Sequence, residues 1–250
     1  MLQQISSQSI KPKLNILFWK IIDIIYPPFC CHCGTVGYEL CPNCFAQINT
    51  IPLDNVCLIC GNPLNPGKQC DRKELHLSFF TGARSWGFYE GPLKSAFRKI
   101  KYDRGFGLIS YFVDQLTLAI NDWGIDFDFI VPVALGTKRQ LDRGYNQAEQ
   151  ISRPVAAQLN KPILPGALVR TRETTSQVGL GFNERRANVR NAFSADNEIC
   201  NGRSILLFDD ITTTFSTLNA CASALSSAGA SSIYCFTVAR TIYQSEKEKI

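Results

Sequence analysis

Apolar residues gather in short, nearly unbroken runs at 128–133, 205–208 and 233–238. A strand buried on both faces shows this pattern, whereas a half-exposed strand alternates. Between the runs the apolar spacing changes to three and four. It does so over 108–120, over 148–159, and at Leu218, Cys221, Ala222 and Leu225, which predicts helices, the last closed by Gly229. Pro154 lies inside the second of these. A mid-helix proline costs about 3 kcal/mol, so a kink there or a start near Arg153 is expected. Upstream, 79–89 reads as an aromatic-rich strand stopped by Gly91 and Pro92, and 93–102 as a helix. Strand–helix alternation from Phe129 onward predicts an α/β fold with a mainly parallel sheet flanked by helices. Near the start, Leu14, Leu17, Phe18, Ile21, Ile24 and Ile25 repeat at helical spacing before Pro27 and Pro28. This predicts an amphipathic helix packed on its own protein, a membrane-surface anchor being the other reading.

Cysteine usage divides the chain. Of eleven cysteines, eight fall between Cys30 and Cys70, and the others are Cys200, Cys221 and Cys235. Cys30/Cys33 and Cys41/Cys44 are two C-x-x-C knuckles, Cys57/Cys60 is a third, and Cys70 stands alone. Tetrahedral zinc takes four thiolates, and two knuckles supply them, so Cys30, Cys33, Cys41 and Cys44 are expected to hold one structural Zn2+. Cys57, Cys60 and Cys70 offer three ligands to a second Zn2+. Lys73 stands where a fourth C-x-x-C would end, so either His76 or Cys31 substitutes or the site is empty; a degenerate structural site is expected over a catalytic zinc with water in the fourth position. The three late cysteines are expected in the core. The expected division is a tail and helix over 1–26, a zinc-ribbon domain over 27–77 and an α/β domain over 78–250.

The start lacks a basic segment followed by a clean apolar core and a small-residue cleavage site. The most apolar run, 14–26, contains Lys20 and Asp23 and is too short to span a bilayer. No transmembrane segment, a reducing compartment and a cytoplasmic location are therefore expected. A net charge of +5 permits a polyanionic partner without demanding one. His32 and His76, the two histidines, form no Ser-His-Asp or Cys-His pairing outside the cysteine segment.

Chemistry concentrates after the 205–208 run. Asp209 and Asp210 follow it directly, then Thr212, Thr213, Thr214, Phe215, Ser216 and Thr217, and then a helix. A loop that opens a helix presents unpaired N–H groups and the positive end of the helix dipole, which favours an anion, commonly phosphate. The two carboxylates suit sugar hydroxyls or a hydrated divalent cation. The stretch resembles the phosphoribosyl-diphosphate (PRPP) signature of type I phosphoribosyltransferases, with Phe215 where that family has glycine.

Two basic regions complete the picture. Lys94, Arg98, Lys99 and Lys101 interleave with Trp86, Phe88, Tyr89, Phe97 and Tyr102, a pattern suited either to single-stranded nucleic acid or to a solvated helix face. Arg170, Arg172, Arg185, Arg186 and Arg190 lie on Gly-containing, weakly patterned chain that suits a loop over an anionic site. Between them, Arg143-Gly-Tyr-Asn-Gln147 either contacts a ligand or caps and braces the next helix.

From Pro27 onward the order of these segments resembles the ComF family, known for a role in DNA uptake during natural transformation. The resemblance rests on the knuckles, on Arg143-Gly-Tyr-Asn-Gln147, Thr174-x-x-Gln177-x-Gly-Leu180, Glu184-Arg185-Arg186-x-Asn188-Val189 and Asn191-Ala-Phe193, and on the acid pair. It implies a type I phosphoribosyltransferase-like domain behind a double zinc ribbon. Asp209 and Asp210 would face the ribose hydroxyls of PRPP bound with Mg2+, and residues 212–217 would wrap its 5′-phosphate. Lys138 and Arg139 would lie on the diphosphate loop, with Arg172, Arg185 and Arg186 on a lid. Lys99, Lys101, Arg143 and Tyr145 are the candidates for contact with single-stranded DNA. The implied partners are that DNA, the DNA-uptake machinery, and PRPP or a related sugar phosphate. An active transferase acting on a base or amine is the alternative.

Overall fold

The computed structural model describes residues 27–52, 54–64, 69–70, 78–172 and 191–241. Four strands form one parallel sheet: β1 (Gly82–Phe88), β2 (Phe129–Pro132), β5 (Ser204–Thr212) and β6 (Ser232–Arg240), in the order β1-β6-β5-β2. β5 and β6 occupy the centre because both are apolar on both faces: Ile205 through Phe208 and Val238 are each fully buried. β3 (Leu168–Arg170) and β4 (Phe193–Ala195) form a separate antiparallel pair, joining Arg170 to Phe193 in register.

Alternation along β5 sorts the core into two clusters. Leu206 and Phe208 pack with α2 (Gly91–Tyr102), α3 (Ser110–Asp122) and α5 (Gln147–Gln158) through Phe97, Phe112, Leu116, Ile151 and Val155. Ile205 and Leu207 pack with α7 (Ser216–Ser227) through Leu218, Cys221, Ala222 and Leu225. The period of two carries successive side chains to opposite faces of the sheet. α5 runs continuously through Pro154, with no start at Arg153. The Asn146 side chain caps it by accepting from Ala148 N at 3.1 Å, and burial of Ile151, Val155 and Ala156 outweighs the bond lost at the proline.

The cysteine-rich segment is built into both clusters. Cys30, Leu40, Cys41 and Cys44, the last on the short α1 (Pro42–Ala46), belong to the first, and Cys57, Cys60 and Cys70 to the second. The segment also covers the outer side of β1, which β6 leaves bare. Ile51 N donates to Trp86 O at 2.9 Å, Phe88 N to Asn49 O at 2.9 Å and Ala83 N to Ile59 O at 2.6 Å. A strand edge with unpaired N–H and C=O groups invites pairing with another chain, and this cover removes that hazard.

Candidate phosphate loop and metal centres

Asp209 and Asp210 are still part of β5, which continues to Thr212; the sequence pattern had suggested that the strand stops at Phe208. Pairing of Asp209 with Thr237 and of Ile211 with Ala239 on β6 keeps the backbone extended where carboxylates would otherwise discourage a strand. As neighbours in a strand, the two half-buried acids leave it on opposite faces. Burial first, and the adjacent Asp210 second, hold the Asp209 carboxyl well above the ordinary carboxylate range; Lys101 on α2 acts the other way. Burial, reinforced by Asp209, likewise pushes Cys221 and Cys235 up, so both are inert core thiols. Tyr89 is raised by burial and then by the charge of Asp210.

The hydroxyl loop turns at Phe215, whose φ of 61° and ψ of 4° are left-handed. That conformation favours glycine, the residue of the related signature, and costs an L-residue about 1–2 kcal/mol. The Phe215 ring offsets the cost by entering the core, where the residue is 1% exposed. There it lies 6.1 Å from the Phe80 ring, and the Arg240 guanidinium is 5.8 Å from its centre. The chain thus turns left-handed at this position while the aromatic side chain is buried in the core. Thr214 Oγ1 and Ser216 Oγ lie 2.8 Å apart and are buried, whereas Thr213 and Thr217 remain half-exposed. α7 begins at Ser216 with no acidic residue in its first turn, so the positive end of its dipole is not neutralised locally. Thr212 is buried at the strand end, and its carbonyl accepts from Thr241 N at 3.0 Å.

Basic residues approach this edge from two sides. Beyond β2 the chain forms a short helix, α4 (Thr137–Arg143), in place of the expected loop, with Lys138 exposed and Arg139 half-buried in its first turn. Lys99 and Lys101 are half-buried on α2, and Lys101 is the one whose charge reaches Asp209. Arg143 and Tyr145 brace the fold. Arg143 Nη1 donates to Gln147 Oε1 at 3.1 Å with its guanidinium 5.7 Å from the Tyr102 ring centre, and Tyr145 Oη donates to Ile100 O at 2.5 Å. Asn146 Nδ2 donates to Val133 O at 3.0 Å, tying the same segment to the end of β2. Arg172 is exposed just beyond β3. Arg185, Arg186, Arg190, Lys73, His76 and the helix expected over 14–26 lie outside the described residues.

The aromatic interleaving needs correction. Trp86, Phe88 and Phe97 are 7%, 6% and 2% exposed and belong to the core. They follow the sheet and helix faces that pack inward, so the run of aromatics had marked burial more than a surface. Of the interleaved set Tyr102 is exposed, at 66%, and beside it stands Phe106 at 38%, with the Phe106 ring 4.6 Å from that of half-buried Tyr145. Sequence reasoning also missed Arg240 and Asn62. Arg240, 1% exposed, donates to Asn62 Oδ1 at 2.5 Å and so links the second cysteine segment to the phosphate loop. An arginine ending an otherwise apolar strand was the available signal.

Both cysteine groups have the geometry of metal sites. The sulfurs of Cys30, Cys33, Cys41 and Cys44 all lie within 4.8 Å of one another, as do those of Cys57, Cys60 and Cys70. Cys33 and Cys41 sulfurs are 3.6 Å apart, as are those of Cys60 and Cys70. Tetrahedral zinc with Zn–S bonds of about 2.3 Å requires sulfur–sulfur edges of about 3.8 Å, so both groups fit. Around Cys30, burial acts to raise the thiol but hydrogen bonds from the backbone of Cys33, Cys41 and His32 outweigh it and lower it to about 6. These donors stabilise a thiolate ligand.

A cysteine ribbon fused to a parallel sheet that ends in an acid pair and a hydroxyl loop defines an α/β protein whose cysteine groups suit structural zinc. Residues 21–73 match the family model of the double zinc ribbon domain. The chain is 32% identical over 233 residues to Competence protein F of Haemophilus influenzae, covering 84% of this chain and 96% of that protein. It is 30% identical over 159 residues to DNA utilization protein YhgH of Escherichia coli O157:H7, covering 62% and 70%. The chain belongs to the ComF family of competence proteins. Among solved structures, "Structure of the allosteric regulatory enzyme of purine biosynthesis" aligns at TM-score 0.36 and 16% identity, over 52% of this chain and 26% of that one. Those values are too low to carry an inference. Among the described residues no helix is long and apolar enough to cross a membrane.

Proposed function

We propose that this chain is a cytoplasmic accessory protein of DNA uptake that handles incoming single-stranded DNA and works with proteins of the uptake machinery. The observation that carries this reading is the similarity to Competence protein F across 96% of that protein's length. The exposed aromatic group at Tyr102 and Phe106, with Arg143 against Tyr102 and Lys99 and Lys101 on the same helix, supports it as a stacking and charge surface. The phosphate loop at the end of β5 then takes a 5′-phosphate or a sugar phosphate. Affinity for a fluorescent single-stranded oligonucleotide tests this reading. Binding should weaken steeply with salt as Lys and Arg contacts release counterions. Absent or salt-independent binding would overturn it.

A second reading is favoured by the inward-facing Phe215 ring, which leaves the loop open to a ligand. In it the chain transfers phosphoribose from PRPP to a base or amine. Asp209 and Asp210 hold the ribose hydroxyls, Mg2+ bound with PRPP neutralises its diphosphate, and residues 212–217 enclose the 5′-phosphate. Lys138 and Arg139, with Arg172, Arg185 and Arg186 from the lid, stabilise the departing diphosphate by charge. Such catalysis is positioning and electrostatics, with no covalent residue. PRPP with Mg2+ should raise the melting temperature of the parent protein, and a parent that shows no shift would exclude the transferase.

A further inference from the structure

Arg84 is a charged residue in the middle of β1, yet it is only 6% exposed. Its Nη1 donates to Ala83 O at 2.9 Å, Cys57 O at 3.1 Å and Leu58 O at 3.2 Å, so two of its three acceptors belong to the Cys57–Cys60 knuckle. The guanidinium carbon lies 5.1 Å from the centre of the Trp123 ring, and Nε is buried with no hydrogen-bond partner. Among the described residues no carboxylate pairs with it; the groups whose charge reaches it are Cys57 and Cys60. The knuckle is packed tightly on this residue. A Cβ at Gly61, where φ is +64°, would stand 2.6 Å from Ala83 O and 3.3 Å from Arg84 Cα.

A buried guanidinium requires an anion, and neutral thiols supply none. Three thiolates around one Zn2+ carry a net charge of −1, which matches one arginine. The two cysteine groups differ accordingly. Cys33 of the first is exposed, so water screens its charge, whereas Cys57, Cys60 and Cys70 are all buried. We infer that Arg84 is the charge partner of the second metal site, a positioning residue that stabilises zinc there as a buried trithiolate of net charge −1. This assigns a function to the three-cysteine group without a fourth thiolate, and it is independent of the DNA-uptake reading.

Chelator competition on the zinc-loaded full chain tests the inference. The parent should hold two zinc ions per chain. Arg84→Met should weaken the second by 10-fold or more, the range seen for groups that support a metal's ligands, while the first is unchanged. Arg84→Lys, which restores the charge, should recover part of the loss. An Arg84→Met protein that holds its second zinc as tightly as the parent would overturn the inference, as would a parent with one zinc. Should Arg84→Met fail to fold, native mass spectrometry of the parent still decides. In that spectrum a parent chain that holds no zinc beyond the first site overturns the inference.

Discussion

The Arg240 guanidinium lies 5.8 Å from the centre of the Phe215 ring while Nη2 of the same arginine donates to Asn62 in the second cysteine segment. The ring that replaces glycine in the phosphate loop is therefore held from inside the protein, and its removal acts first on the core. Phe215→Gly loses a buried aromatic, about 3–5 kcal/mol for Phe→Ala truncation. It regains about 1–2 kcal/mol of left-handed strain. A net destabilisation of about 1–4 kcal/mol is expected in urea melts. Affinity for PRPP with Mg2+ should not improve. A tenfold tighter variant would mean that the ring blocks the loop after all.

Asp209 gives the stability a definite pH dependence. Its native carboxyl titrates above the unfolded value because burial and Asp210 oppose the charge. The native state therefore binds more protons than the unfolded state between the ordinary Asp range, about 3.9, and the raised native value. Stability from this group is complete below that range and is lost as pH rises through the native value. Asp209→Asn should be more stable than the parent at pH 7.5 and equal to it near pH 3.5. Equal stability at both values would show that the carboxyl is not desolvated.

If PRPP binds, the Asp209 carboxyl must lose its proton to meet it. Asp209→Ala combined with Asp210→Ala should abolish any thermal shift produced by PRPP with Mg2+, while inorganic phosphate, for which the proposed site is residues 212–217 alone, should still bind. Loss of both ligands together would point to a collapsed loop.

Aromatic substitutions separate surface from core. Tyr102→Ala, at an exposed position, should leave the melting transition nearly unchanged and weaken single-stranded DNA binding by about 1–3 kcal/mol, the scale of one stacked base. Trp86→Ala should destabilise the fold by about 3–5 kcal/mol. A protein in which Tyr102→Ala binds DNA normally would remove the stacking surface from the proposal.

Much of this fold was legible because burial leaves a mark in sequence. β2, β5 and β6 announced themselves as apolar runs, and the knuckle spacing marked both cysteine groups. What stayed hidden depends on which partner a residue meets. Asp209 and Asp210 read as loop residues because acids are poor strand formers, and only the pairing with β6 keeps them extended. Phe97 sits among Lys94, Arg98, Lys99 and Lys101, which obscured the helix face that packs inward, and Trp86 lies on a strand buried along its whole length. Lys101 looked like one more basic residue until the path of α2 brought it to Asp209. The ribbon's cysteines are close in sequence, and nothing in their spacing shows that its two halves join different clusters of the core.

The cover over β1 has a consequence for synthesis. β1 is the first strand of the sheet to leave the ribosome, and β6, its partner in the sheet among the described residues, is the last. For most of translation β1 has no neighbouring strand. The cysteine segment precedes it and is complete before it, so metal-loaded knuckles can serve as a provisional template that guards the nascent strand until its mate is made. Cells starved of zinc should then accumulate this protein as co-translational aggregate well before the finished molecule loses its own metal.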